Sequence, residues 1–198
     1  MSDLLSRQRL VFKQKAKLIE LKTEFAIRDE AGNQVGLIRQ EGQSGLKKAF
    51  RFISALDQFM THTLAVYDNT GARVVELTRP AKVFKSKLMV KDDTGNQVGK
   101  ILQRNMIGKI RFSLEDAQGQ SIGSINAENW RAWNFSILDA FGQEVARITK
   151  TWEGLAKTIL TTADNYLLEV SGNTSPTLRK LILASAAGVD LALKQDSR

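Results

Sequence analysis

Apolar and polar positions alternate in five stretches of the chain, and each stretch leads into the same turn motif. Strict alternation over a few residues is typical of a strand with one buried face. The motif Asp-x-x-Gly indicates a type I turn, in which Asp caps its own turn and Gly takes the left-handed conformation. Each copy therefore predicts a β-hairpin. The copies of the pattern apolar-x-apolar-x-Asp-x-x-Gly-x-x-Val/Ile begin at Phe25, Leu64, Leu88, Phe112 and Phe135.

The repeat also predicts which side chains are buried after each turn. Three intervals between copies are about 24 residues long and one is 39, a spacing that indicates repeated supersecondary units. We expect Val35, Val98 and Val145 to be buried, so aspartate at any of them should unfold the protein by burying an unpaired charge. The 39-residue interval holds an exception at residues 44–54. Its apolar residues share one helical face, which predicts a short helix.

The end of the chain carries a run that is apolar on every helical face. It spans Leu181 to Leu193, between Lys180 and Lys194, and it includes Asp190. A helix without a polar face is enclosed by protein or by lipid. Thirteen residues extend about 20 Å, which is short of the roughly 30 Å hydrocarbon core of a bilayer. We therefore predict a helix over 177–194 that is enclosed by protein.

The predicted hairpins and the predicted helix together indicate one architecture. A further strand is predicted at residues 165–170, and residues 1–16 fit either a basic arm or a first strand, with 1–7 as a flexible arm. The total is about a dozen strands, and an open twisted sheet of that size tends to curl or close. A closed barrel that large has room for a central helix. The sequence thus predicts a mainly β, single-domain protein over residues 1–198.

Composition and charge narrow the functional classes. The chain has no cysteine, which excludes disulfides, thiolate zinc sites and cysteine nucleophiles. Its first residues lack the apolar region of a signal peptide, so we expect an intracellular protein. The net charge of +8 favours an anionic partner, either lipid headgroups or nucleic acid. The alternative reading of the charge is a surplus that only maintains solubility.

Several segments of the chain resemble a known family. Ile148–Gly154, Thr161–Tyr166 and the final apolar run resemble the C-terminal third of the phospholipid scramblase family, and Leu77–Pro80 matches its Arg-Pro element. The hairpin repeat and residues 127–139 are similar to the bacterial LURP-one-related branch. The resemblance covers roughly residues 8–196. It implies the tubby C-terminal-like fold, which is a closed twelve-stranded antiparallel β-barrel threaded by a hydrophobic C-terminal helix.

The resemblance implies association with phospholipid membranes and, for animal members, calcium-triggered lipid scrambling. Asp164 is a weak calcium candidate, because Thr162 stands where the family carries another acidic residue and calcium takes about six to eight oxygen ligands. We expect no metal and no cofactor. The resulting prediction is a non-enzymatic protein that binds anionic phospholipids, with a link to phospholipid scrambling. We expect it in the cytoplasm, peripherally bound at the inner face of the plasma membrane.

A basic segment is the leading candidate for the headgroup contact. Lys85, Lys87 and Lys91 share one parity along a strand and should point to one side. Tubby-like domains bind phosphoinositide headgroups with basic side chains on the barrel exterior, so the resemblance indicates the same role here. The alternative is a solvated face that protects a strand edge. The full candidate set is Arg79, Lys82, Lys85, Lys87 and Lys91.

A second candidate membrane contact lies in the predicted short helix. Lys47, Lys48 and Arg51 lie opposite its apolar face, as in helices that bind at membrane interfaces. A helix that only caps the barrel mouth would show the same pattern.

Other functions have weaker support in the sequence. Gly119-Gln-Ser121-Ile-Gly123 has the spacing of a serine hydrolase elbow, but it follows a hairpin turn, and the one histidine, His62, lies in another repeat, where we expect it at the surface or the barrel rim. That motif needs a strand-to-helix turn and a histidine partner. The main alternative function is a protein-interaction or regulatory module, including a nucleic-acid binder. A third is a carrier of a small apolar ligand.

Overall fold

In the computed structural model, twelve antiparallel strands close into a barrel, which confirms the predicted fold class. The structure describes residues 2–14, 24–41, 61–80, 87–105, 108–128, 134–150, 165–171 and 173–193. Each strand pairs with its neighbours in sequence, and β12 closes the barrel against β1. The strands are β1 Arg9–Gln14, β2 Glu24–Arg28, β3 Gln34–Glu41, β4 His62–Asp68, β5 Arg73–Arg79, β6 Lys87–Asp92, β7 Gln97–Gln103, β8 Arg111–Asp116, β9 Ser121–Ala127, β10 Phe135–Asp139, β11 Glu144–Lys150 and β12 Asn165–Val170.

The five Asp-x-x-Gly motifs form the predicted turns. In each turn the glycine amide donates to the aspartate carbonyl at 3.0 to 3.2 Å, and the glycine φ lies between 81° and 86°. The aspartate side chain caps the turn. In the turn at Asp92, for example, Oδ1 accepts from the Thr94 hydroxyl at 2.7 Å and from the Asn96 amide at 2.9 Å. All five turns lie at the same end of the barrel, which we name the turn end.

A β-bulge follows every turn, at the repeat's Val or Ile. In the third hairpin, Val90 pairs with Gly99 and Lys91 pairs with Gln97, so Val98 is the extra residue. Bulges increase the local twist of a strand, which helps a sheet close into a barrel. Val98 is 8% exposed, and the expected burial of the three valines is confirmed. The bulge residues are Val35, Val74, Val98, Ile122 and Val145.

Glycine follows the bulge where the next strand comes closest. A Cβ added to Gly36 would lie 2.5 Å from the Tyr67 carbonyl oxygen, and one added to Gly99 would overlap the carbonyl oxygen of Glu115. A backbone atom cannot move aside as a side chain can, so a residue with a Cβ would force the strands apart. Glycine after the bulge therefore allows the neighbouring strands to pack closely.

The C-terminal helix, α1 (Pro176–Leu193), fills the barrel as predicted. Leu181, Ile182 and Ala184 are each 0% exposed, and the helix contacts strands β4 to β8. Small residues permit this close approach. A Cβ on Gly188 would lie 2.9 Å from Cδ1 of Leu88. The helix begins one residue before the predicted 177–194, and residue 194 lies outside the described residues.

The N-terminal residues are packed against the barrel, and the expectation of a flexible arm over 1–7 is wrong for the described residues 2–7. Asp3–Leu5 forms a short 3₁₀ helix, η1, in which Leu4 is 2% exposed and Leu5 is 6% exposed. The Arg179 guanidinium of α1 donates to the carbonyl oxygens of Leu5 and Arg7, each at 2.7 Å. Burial of two leucines and these hydrogen bonds hold the segment at the start of the helix. The predicted short helix at 44–54 lies outside the described residues.

We expect the folded protein to lose stability in acid because of the aspartates in the hairpin turns. The Thr94 hydroxyl, aided by the Asn96 amide and the Lys180 ammonium 3.7 Å away, holds the pKa of Asp92 below its usual value. The Thr70 hydroxyl lowers the pKa of Asp68 in the same way. A carboxyl with a depressed folded-state pKa stabilises the fold above its unfolded pKa, and that stability is lost as pH falls through the folded pKa.

Thermal unfolding midpoints should therefore drop below about pH 4. Asp92→Asn should show a shallower drop, and an unchanged pH profile in that variant would contradict the role of Asp92.

Candidate phospholipid-contact surface

The outer face of β6 presents the two candidate lysines that the structure describes. Lys87 and Lys91 are exposed and share the outward parity of Met89, while Leu88 and Val90 point into the core. Lys91 lies opposite Glu76 on β5, but that carboxylate is bound by Arg73 at 2.8 Å. Among the described residues, neither lysine forms an ion pair. The outer face of β6 therefore presents two ammonium groups that no described carboxylate neutralises.

Arg79 does not belong to this surface, so that part of the predicted site is wrong. It continues the inward parity of Val75 and Leu77 on β5, and it is 3% exposed. It pairs across the strands with His62, which is also buried. An inward guanidinium cannot reach a bilayer that lies against the outer wall. The predicted contacts Lys82, Lys85, Lys47, Lys48 and Arg51, and the calcium candidate Asp164, lie outside the described residues.

The neighbouring strands extend the basic surface with residues that were not predicted from the sequence. Lys100 pairs with Met89 of β6 and with Glu115 of β8, so it lies on the outer face. Arg104 follows the end of β7, and Arg111 begins β8. The signal in the sequence was the shared parity of Lys100 and Arg104. We define the basic wall as Lys87, Lys91, Lys100, Arg104, Lys109 and Arg111.

One partly buried carboxylate organises the centre of the basic wall. The Glu115 side chain is 11% exposed, and its Oε1 accepts from the Arg104 guanidinium at 2.7 Å. The Lys100 ammonium lies 3.9 Å from Oε2. The Ser113 hydroxyl donates to Oε1 at 3.4 Å. Glu115 therefore fixes the positions of two cations and leaves the wall with a net positive charge.

The turn end of the barrel carries a cluster of acidic residues, and cations from neighbouring elements pair with several of them: Arg7 lies 3.4 Å from Asp29, Arg9 lies 3.6 Å from Glu30 and Lys180 lies 3.7 Å from Asp92. Its five turn tetrapeptides contain seven of the chain's 21 acidic residues and no basic residue. Arg104, Lys109 and Arg111 belong to the β7–β8 connection, which lies at the other end, because β6–β7 and β8–β9 are joined by Asp-x-x-Gly turns. The acidic turn residues are Asp29, Glu30, Asp68, Asp92, Asp93, Asp116 and Asp139.

The arrangement of the other candidate groups does not match a hydrolase or a metal centre. Ser121 is the first residue of β9, and it is exposed directly after a hairpin turn. His62 is 2% exposed, so it is not a surface residue, but as the first residue of β4 it lies at the barrel rim, the other expected position. Its Nδ1 lies 3.0 Å from Nε2 of Gln40. Within the described ranges, no three His, Asp or Glu side chains are grouped to hold a metal ion.

The fold and the wall define the class of protein, which is a helix-filled antiparallel barrel with a basic outer surface. The profile of the scramblase family matches residues 1–193, and the chain belongs to that family. No curated protein and no solved structure matches the chain. None of the helices in the described part of the chain combines the length and the apolar character needed to cross a bilayer.

Proposed function

We propose that this scramblase-family protein binds anionic phospholipid membranes peripherally, through its basic wall, without catalysing a covalent reaction. The observation that carries the proposal is the set of cations on adjacent strands β6 to β8, of which Lys87, Lys91 and Arg111 are exposed and form no ion pair with any described residue. Near an anionic surface each Lys or Arg contributes about 1 kcal/mol. Family membership supports phospholipids as the anionic partner.

The distribution of charge supports docking through the basic wall. The cations of the wall outnumber the carboxylate at its centre, Glu115, so anionic headgroups attract this surface. The acidic turns are partly neutralised by Arg7, Arg9 and Lys180 and contribute little to the orientation. We propose binding at the cytoplasmic leaflet, since that leaflet carries the anionic lipids of the plasma membrane. Lipid transfer between leaflets would require a further activity, which a dithionite assay with fluorescent lipids in vesicles measures directly.

Variants on the wall test the proposal. We expect Lys87→Gln with Lys91→Gln to weaken binding to vesicles of phosphatidylcholine and phosphatidylserine roughly 30-fold, because two contributions of about 1 kcal/mol are lost. Binding of the unmodified protein should also fall steeply between about 0.05 and 0.5 M salt, because the Debye length shortens. Co-sedimentation with the vesicles measures both effects.

The control changes the same charge on the opposite side of the barrel. Lys13 faces outward on β1 and forms no ion pair with any described residue, and β1 lies six positions from β7 in the closed strand order. Lys13→Gln should therefore retain most of the binding, whereas Lys87→Gln alone should weaken it about fivefold. Equal losses for these two variants, or equal binding to neutral and anionic vesicles, would contradict a specific docking wall. Competition with duplex DNA at matched charge tests the alternative of a nucleic-acid binder.

A further inference from the structure

Two arginines face each other at the end of the barrel opposite the acidic turns. The Arg104 amide donates to the Arg111 carbonyl oxygen at 2.8 Å, which continues the register set by the pair Gln103 and Phe112. Both side chains have outward parity and are exposed. Like charges directly opposite each other on neighbouring strands are destabilising. Glu115 binds Arg104 and not Arg111, so a bound anion would relieve the repulsion that remains at Arg111.

The backbone beneath the two arginines is fixed by a third residue. The Asn105 side chain donates to the Lys109 carbonyl oxygen at 2.6 Å, and its Oδ1 accepts from the Arg111 amide at 2.8 Å. These hydrogen bonds join the two ends of the β7–β8 connection. Glu115 in turn holds the Arg104 guanidinium. The arginine pair is therefore presented on an ordered platform, which reduces the ordering cost of binding.

The surroundings of Arg111 provide hydrogen-bond donors and few acceptors. Within the described part of the chain, neither Arg111 nor Lys109 forms an ion pair. On its other side, Arg111 pairs with Asn126 of β9. The Asn126 amide nitrogen donates to the Ser124 hydroxyl at 3.1 Å and keeps a second N–H. The nearest carboxylate in the strand register is Glu128, which lies opposite Lys109 and is bound by Arg147.

We propose that Arg104 and Arg111, with Lys109 beside them, bind the phosphate monoester of a lipid headgroup. This inference rests on the proposed function, because the basic wall brings the membrane to the site. A phosphate monoester approaches a charge of −2 near neutral pH and has three terminal oxygen acceptors. Each planar guanidinium can bind two of these acceptors through parallel N–H groups.

The geometry separates this site from the rest of the basic wall. Lysine ammonium groups act as point charges and distinguish poorly between phosphate classes. A phosphodiester has one negative charge and two unbridged oxygens, so it engages one guanidinium fork rather than two. The carboxylate of phosphatidylserine lies beside an ammonium group that the arginines repel, so it replaces the second phosphate contact poorly. Phosphatidic acid should therefore be preferred over phosphatidylserine at equal surface charge. Lys87 and Lys91 strengthen binding to both lipids alike.

Vesicles of matched surface charge test this preference. We expect phosphatidylcholine vesicles with phosphatidic acid to bind about tenfold more tightly than those with phosphatidylserine, from the added charge-assisted hydrogen bonds. Arg111→Lys keeps the charge and removes the fork, so it should abolish the preference while retaining phosphatidylserine binding. Lys87→Gln is the matched control and should weaken both lipids equally. Unchanged thermal midpoints show that the variants are folded. A preference that persists in both Arg111→Lys and Arg104→Lys would overturn the proposal.

A soluble probe separates the two proposals. Monomeric dihexanoyl phosphatidic acid, followed by NMR of the arginine Nε–H groups, should shift Arg104 and Arg111, and dihexanoyl phosphatidylserine should shift them about tenfold more weakly. Shifts without vesicle binding would support the subsite and overturn membrane docking. Vesicle binding without lipid preference and without shifts would support docking and overturn the subsite. Equal affinity for inorganic phosphate would overturn the assignment to a lipid.

Discussion

Val98→Asp is expected to abolish cooperative folding. Val98 is 8% exposed at the bulge of the third hairpin. The substitution forfeits about 1.5–3 kcal/mol of side-chain burial, and it adds either an unpaired buried charge or the cost of protonating it. Losses above about 4 kcal/mol are a large part of the 5–15 kcal/mol that stabilises a typical domain. Thermal unfolding followed by near-ultraviolet circular dichroism measures the result.

The adjacent residue supplies the control. Gln97 is exposed on the same strand and lies opposite Lys91. Gln97→Asp introduces the same charge one residue away, and we expect its free energy of unfolding to stay within about 0.5 kcal/mol of the unmodified protein. If Val98→Asp unfolds at the same temperature as Gln97→Asp, the bulge residue does not belong to the core.

The hairpins were predictable because their information is local. Asp, Gly and the following valine stand at fixed offsets, and each has one physical role in the turn or bulge. The enclosed helix was predictable from length and apolarity alone. The N-terminal segment gave no such signal, because a three-residue helix such as Asp3–Leu5 is too short for a periodic pattern. Its burial depends on Arg179, about 170 residues away in sequence.

The burial of Arg79 could not be predicted from the sequence. The bulge in the second hairpin leaves both Val74 and Val75 buried, so the alternation can be counted from either residue. Counting from Val74 places Arg79 outside the barrel, and counting from Val75 places it inside. The structure pairs Val75 with Val66 and His62 with Arg79. A bulge shifts the side-chain parity by one residue, and the sequence does not mark which count holds.

The pair of arginines could not have been found from composition. A search for basic runs selects residues that are close in sequence, whereas Arg104 and Arg111 are seven positions apart. They meet because β7 and β8 pair in a register that places Gly99 opposite Asp116. Their connection lacks the Asp-x-x-Gly motif that reveals register in the other hairpins. A site formed by residues on different strands can therefore be found only once the fold is known. The positive charge of the basic wall, in contrast, is visible in the sequence.

The last large effect concerns the helix inside the barrel. A chain ending at Ser175 should be unfolded or molten. It would lose the burial of Leu178, Leu181, Ile182 and Leu183, which are 0% to 5% exposed. At about 1.5–3 kcal/mol per side chain, this is about 6–12 kcal/mol, comparable to the whole stability of a typical domain. The inward faces of β4 to β8 would also lose their packing partners.

A chain ending at Leu193 is the matched control, because it keeps α1 and removes only residues 194–198. We expect it to unfold cooperatively at the temperature of the full chain, while the chain ending at Ser175 binds a hydrophobic dye and lacks a near-ultraviolet signal. The comparison separates loss of the enclosed helix from loss of chain length. A cooperative transition in the shorter chain would mean that the strands close around an empty interior. The close packing of Gly188 against Leu77 and Leu88 argues against that outcome, since this wall is shaped to the helix.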